Sequence, residues 1–160
     1  MVHAVTDTAS RTRLFLAAIT LAVLSLLAAP ALAANSGIYT ADGKTAIKGA
    51  DPVAYFTQGR AVYGKAQFTH RWKGVEWRFA SAANRDKFKA NPEKYAPKYG
   101  GYCAYAVSYG SLAKIEPEAW KIVDGKLYLN FDKSIQRRWE RDQTKHIARA
   151  DGNWPGVLKK

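Results

Sequence analysis

The chain has 160 residues, five of them tryptophan, nine tyrosine and one cysteine, and a net charge of +12 from 25 basic and 13 acidic side chains. One thiol excludes an internal disulfide, so the fold has to stand on a hydrophobic core, and the length suits a single domain. The lysines and arginines are scattered rather than gathered in a run, which is the pattern of a solvated face, and no nucleic-acid partner is expected.

In chain order, Arg11 and Arg13 precede an apolar run from Leu14 to Ala29, and Ala31-Leu32-Ala33 follows. A charged start, an apolar middle and a small-residue cleavage box are the layout of a secretory signal peptide, expected over residues 1–34. The run is shorter than the ~20 residues needed to cross a bilayer. The expected product is periplasmic or secreted, with no transmembrane segment once the signal is removed. Thr12 splits the two arginines and no cysteine follows the box, so neither twin-arginine export nor a lipid anchor is indicated.

Residues 35–50 are polar and glycine-bearing and read as a loose arm, with the packed region starting at Asp51-Pro52. From Gln67 the pattern turns to period two. Phe68, His70 and Trp72 alternate with polar residues, and after Lys73-Gly74 so do Val75, Trp77 and Phe79, which predicts a hairpin with one apolar face. Ser81 is a good N-cap for a short helix, Ala82 to Ala90, with Asn84 and Phe88 on its inner side and Asn91-Pro92 as its stop. A second helical turn, Pro92 to Tyr95, leads to Gly100-Gly101, a pair suited to close backbone approach.

Tyr102 to Val107 is apolar throughout and reads as a buried strand. Trp120 to Val123 and Lys126 to Leu129 flank Asp124-Gly125, the strongest hairpin signal in the chain. Asp132 can cap a last helix that sets Ile135, Trp139 and His146 on one stripe. The domain is expected to end near Pro155, leaving 156–160 as a tail. These elements predict an α+β fold: two hairpins, a buried strand, and helices packed on one side.

Four groups of residues could carry chemistry. His70 falls on the apolar face of its strand, where a neutral imidazole is either a metal ligand or a core histidine bonded to backbone or hydroxyl groups. Cys103 is either a small buried hydrophobe or, if it meets His70 in the fold, half of a sulfur and nitrogen pair able to hold copper. Asp142 and His146 stand i, i+4, a spacing at which both can face one ion, although a histidine near a helix C-terminus is also stabilised by the helix dipole alone. Tyr99, Tyr102, Tyr105 and Tyr109 either line a pocket or form core and rim. Hydrolase elbows, phosphate-cradling glycine loops, paired zinc histidines and Cys-x-x-Cys motifs are absent from the sequence, so a non-catalytic role is expected.

Asp51-Pro52-Val53, the hairpin with Trp72, Gly74, Trp77 and Phe79, then Ser81, Phe88 and Asn91-Pro92-Glu93-Lys94-Tyr95 resemble the YHS-domain family. Gly100 to Ala106, Ile122 to Asn130 and Asn153-Trp154-Pro155 are similar to a longer, exported bacterial branch of it. The resemblance implies a YHS-like domain over 51–155. Domains of this family attached to copper-transporting ATPases are suspected metal binders through cysteines after the Asp-Pro-Val and around the start of the helix. This chain has Ala54, Ala80 and Asn84 at those places, none able to supply a thiolate. The function implied is a small exported protein that binds or handles a metal ion, copper first, through His70 and Cys103. The alternative is a binding module without metal, for an anionic or aromatic ligand or an envelope protein partner.

Overall fold

A computed structural model describes residues 37–159. The leader expected at 1–34 lies outside the described residues. The described residues form one compact unit, whose buried core clusters run from Ile38 to Val157. The class is α+β, with two separate antiparallel hairpins and six α-helical segments among the described residues.

The first hairpin pairs β1 (Lys65–Trp72) with β2 (Val75–Phe79), and the second pairs β3 (Glu116–Val123) with β4 (Lys126–Asn130). Both turns are two residues long, Lys73-Gly74 and Asp124-Gly125, and all four residues have positive φ. That is the backbone of a type I′ turn, whose twist matches the strands it joins. On β2 the expected alternation is intact: Val75, Trp77 and Phe79 are buried and the residues between them are not.

Helix α1 (Pro52–Gln58) starts on Asp51, and α2 (Ala82–Ala90) starts on Ser81, whose hydroxyl accepts from Asn84 N. Phe88 of α2 is fully buried and meets Trp77, Phe79 and Trp72 at ring separations of 5.0, 5.2 and 5.6 Å. A short α3 (Pro92–Tyr95) follows. The helices divide between the two hairpins. α2 covers the first hairpin, while α4 (Ala104–Ser108) and α5 (Lys133–Glu140) cover the second.

Three expectations are corrected. Residues Tyr102–Val107 do not form a strand. Ala104, Val107 and Ser108 are the buried positions, spaced i, i+3, i+4, and Val107 N bonds back to Cys103 O at 3.0 Å. An all-apolar run carries no period to separate strand from helix, and two alanines tip it toward helix. The single last helix is two, α5 and α6 (Gln143–Asn153), because Asp142 leaves helical geometry at φ −142 and ψ 48. The break lets α5 lie on β3–β4 while α6 packs on α4.

The arm is not loose over its described part either. Ala46 N donates to Glu76 O of β2 and Glu76 N donates to Lys44 O, both at 2.9 Å, Tyr39 N bonds Gly100 O at 2.9 Å, and Ile38, Ala46, Ile47 and Ala50 are buried. Gly100 is required for that approach, since a Cβ there would collide with the Gly37 carbonyl. At the other end Val157, within the expected tail, joins the second core cluster.

Candidate functional site

The carboxylate of Asp51 is fully buried and organises the start of the domain. Its Oδ1 accepts from Val53 N at 2.8 Å and Ala54 N at 3.3 Å, capping α1. Its Oδ2 accepts from Ala80 N at 2.8 Å and Asn84 Nδ2 at 2.7 Å, which ties the end of β2 and the first turn of α2 to the same group. Positions 54, 80 and 84, far apart in sequence, therefore converge on one carboxylate. They are the places where the metal-associated relatives implied by the resemblance carry cysteine. Here no sulfur is present and the four N–H donors fill the four lone-pair positions of the carboxylate. The donor set does not fit a metal ion.

The second candidate pair is not assembled. His70 is half-buried, and its ring contact is the edge of Phe88, 6.3 Å between centroids. Cys103 is buried, with Sγ facing Asn130 Oδ1 at 3.8 Å. Burial pushes its thiol pKa up, against a smaller opposing effect of the Ala106, Phe131 and Tyr105 backbone N–H groups around the sulfur. No hydrogen bond or ring contact joins His70 to Cys103, and among the described residues no group of three or more His, Cys, Asp or Glu side chains is placed to hold a metal.

Asp142 and His146 share the start of α6 but not a ligand geometry. Asp142 pairs with Lys145 at 3.5 Å. His146 Nδ1 lies 2.9 Å from Ser108 Oγ, and that hydroxyl donates to Tyr105 O at 2.7 Å. With the serine proton committed, Nδ1–H must be the donor to Ser108, a tautomer assigned from the network. Burial lowers the His146 pKa, with Asp142 pulling the other way.

The four tyrosines split into two groups instead of lining one pocket. Tyr105 and Tyr109 stand against His146, at 4.9 and 5.8 Å. Tyr99 and Tyr102 stand against Trp154, at 6.0 and 6.3 Å. Tyr99 donates to Asp151 Oδ1 at 3.0 Å, and burial raises its pKa.

The Tyr99 group opens onto a cleft of about 360 Å³ that the sequence reading missed. The tips of both hairpins meet there, Trp72-Lys73 from the first and Lys126 from the second, with the Glu93 to Gly100 stretch and Trp154 completing the walls. Lys73 sits 4.3 Å over the Trp72 ring and pairs with Glu93 at 3.0 Å. Lys98 lies 5.4 Å over the Tyr99 ring and pairs with Asp151 at 3.2 Å. The Lys126 ammonium makes no ion pair or hydrogen bond among the described residues. Three ammonium groups against two carboxylates, Glu93 in the lining and Asp151 behind Lys98, leave a net positive charge at Lys126, and two indoles offer flat apolar surface beside it. Each lysine borders a turn or a Pro-Gly stretch, but no sequence period links positions 72, 98, 126 and 154, so nothing local announces the cleft.

Residues 53–99 match the family model for the YHS domain. No curated protein and no solved structure matches the chain.

Proposed function

This chain contains a YHS domain, a domain associated in general with metal handling, and on that premise we propose that the metal role is absent here and that the protein is a non-catalytic binding module of the cell envelope. Its ligand is a small anion carrying an aromatic or other flat apolar group, held in the Trp72–Trp154 cleft. The observation that carries this reading is Lys126, an ammonium group with no carboxylate partner among the described residues, on the rim of a cleft walled by two indoles. Such a cleft matches flat apolar surface to the rings and a negative charge to the amines, the combination that small-molecule sites use for affinity and orientation. The sealed carboxylate of Asp51, and the separate surroundings of His70 and Cys103, argue against coordination at the places where the family resemblance would put it.

The test is an NMR titration of the domain beginning at Leu32 with phenyl phosphate, inorganic phosphate and phenol. Phenyl phosphate should move the indole N–H signals of Trp72 and Trp154 and bind more tightly than either half alone. Lys126→Gln should weaken it about tenfold, the worth of one charge-assisted contact. Signals that move elsewhere, or phenol binding as well as phenyl phosphate, would overturn the reading. Cuprous, cupric and zinc ions form a parallel arm: stoichiometric binding that is lost in Cys103→Ala or His70→Ala would restore metal handling.

A further inference from the structure

A different patch lies where α4, α5 and α6 meet. The Tyr105 and Tyr109 rings are 5.1 Å apart, and Tyr109 is 58% exposed, one of two large hydrophobic side chains so exposed among the described residues. Three exposed arginines surround the pair: Arg138 of α5, Arg141 at its end, and Arg149 of α6. The Arg149 guanidinium lies 6.0 Å from the Tyr109 ring. The Tyr105 pKa is raised, first by the neighbouring Tyr109 hydroxyl, and the charges of Arg138 and Arg141 oppose that rise.

Among the described residues none of the three arginines makes an ion pair or a side-chain hydrogen bond. The carboxylates nearest to them in sequence are paired with lysines: Glu140 with Lys121, Asp142 with Lys145 and Asp151 with Lys98. Arg78 and Arg85, on the other half of the molecule, each hold an acidic partner. Beside Arg149 is a shallow hollow lined by Tyr109, Gly110, Gly152 and Asn153.

We propose that this face docks on an anionic phospholipid bilayer, with Arg138, Arg141 and Arg149 holding lipid phosphates and Tyr109 set among the headgroups. Guanidinium groups present planar forks that match phosphate oxygens and stay charged at any physiological pH. A soluble polyanion needs only the charge. The exposed ring in the middle of the cations is what favours a membrane surface, since tyrosine is at home where apolar and wet surroundings meet. No described helix is long and apolar enough to cross a membrane, so the contact is peripheral. It is independent of the cleft, and the two stand or fall separately.

Sedimentation of the domain beginning at Leu32 with vesicles tests it, using phosphatidylcholine alone and an equal mixture with phosphatidylglycerol. Binding is expected to the mixed vesicles only, reduced by at least about tenfold in R138Q/R141Q/R149Q and severalfold in Tyr109→Ser. All these side chains are exposed, and thermal melting checks that the variants fold. The K44Q/K87Q/K89Q variant removes the same charge from exposed positions elsewhere and should bind as the parent does. Equal loss in both triple variants, no binding to mixed vesicles at low salt, or arginine-dependent binding to heparin without binding to vesicles would each overturn the proposal.

Discussion

Asn84 donates from Nδ2 to Oδ2 of Asp51 across 2.7 Å, joining the first turn of α2 to the residue that caps α1. The two are 33 positions apart, and their bond closes the corner between α1, the end of β2 and α2. An amide and a carboxylate thus occupy a corner that sulfur would occupy in a metal-associated relative. The corner is held by hydrogen bonds to a buried charge instead of by coordination.

Removing the amide leaves a buried carboxylate one donor short. Asn84→Ala is expected to cost about 2–3 kcal/mol, the range for a hydrogen bond to a charged group, and to lower the urea midpoint with little change in slope. Asp51→Ala should cost more, since it also strips the cap of α1. Equilibrium unfolding measures both. An Asn84→Ala protein as stable as the parent would show that the corner is held by packing alone.

His146 gives the fold a pH dependence with a definite sign. Burial holds its pKa below the ordinary 6.5, so the folded state binds fewer protons near neutrality than the unfolded chain does. Its contribution is fully present above 6.5 and is lost as the pH falls through the lowered folded value. Unfolding at a series of pH values from about 7.5 to 5 should therefore show falling stability, and His146→Gln should flatten that slope. A parent protein that gains stability on acidification in this window would contradict the neutral imidazole.

The Cys103 thiol is expected to be inert in the folded protein. It is buried with a raised pKa, and reactivity follows exposed thiolate. A thiol reagent such as dithionitrobenzoate should react at the rate of unfolding, speeding up with urea. Fast stoichiometric labelling of the native protein at neutral pH would show that the sulfur is reachable.

Chelator and added metal should leave the melting temperature unchanged. A ligand that binds only the folded state raises stability by an amount that grows with its concentration over its dissociation constant. With the Asp51 oxygens already filled and no cluster of three ligating side chains among the described residues, that increment is expected to be near zero for cupric and zinc ions. A rise in melting temperature that scales with metal and reverses with chelator would refute this.

Much of the fold was legible from neighbours a few residues apart. Alternation on β2, the Lys73-Gly74 and Asp124-Gly125 turns, the Ser81 and Asp132 caps and the Asn91-Pro92 stop each depend on a handful of adjacent residues, and each stands in the structure as read. Tyr102–Val107 was misread because a wholly apolar run has no period. The 37–50 stretch was misread because its polar composition hides four buried hydrophobic residues whose partners lie far along the chain. Tyr105 and Tyr109 stand together because they are i, i+4 on α4 and its C-cap, and so share a face, whereas Tyr99 and Tyr102 precede the helix, in the turn Lys98–Gly101 and at its cap.

By itself the amino-acid sequence determined the α+β class, the two hairpins and the lack of thiolates at positions 54, 80 and 84, because turn geometry, capping and ligand chemistry are properties of single residues and their near neighbours. Only the tertiary structure decided that those three positions gather on Asp51, that His70 and Cys103 have different partners, and that Trp72, Lys98, Lys126 and Trp154 wall one cleft. Such groupings arise when hairpins and helices bury their apolar faces against one another, and that packing brings together residues with no fixed spacing along the chain.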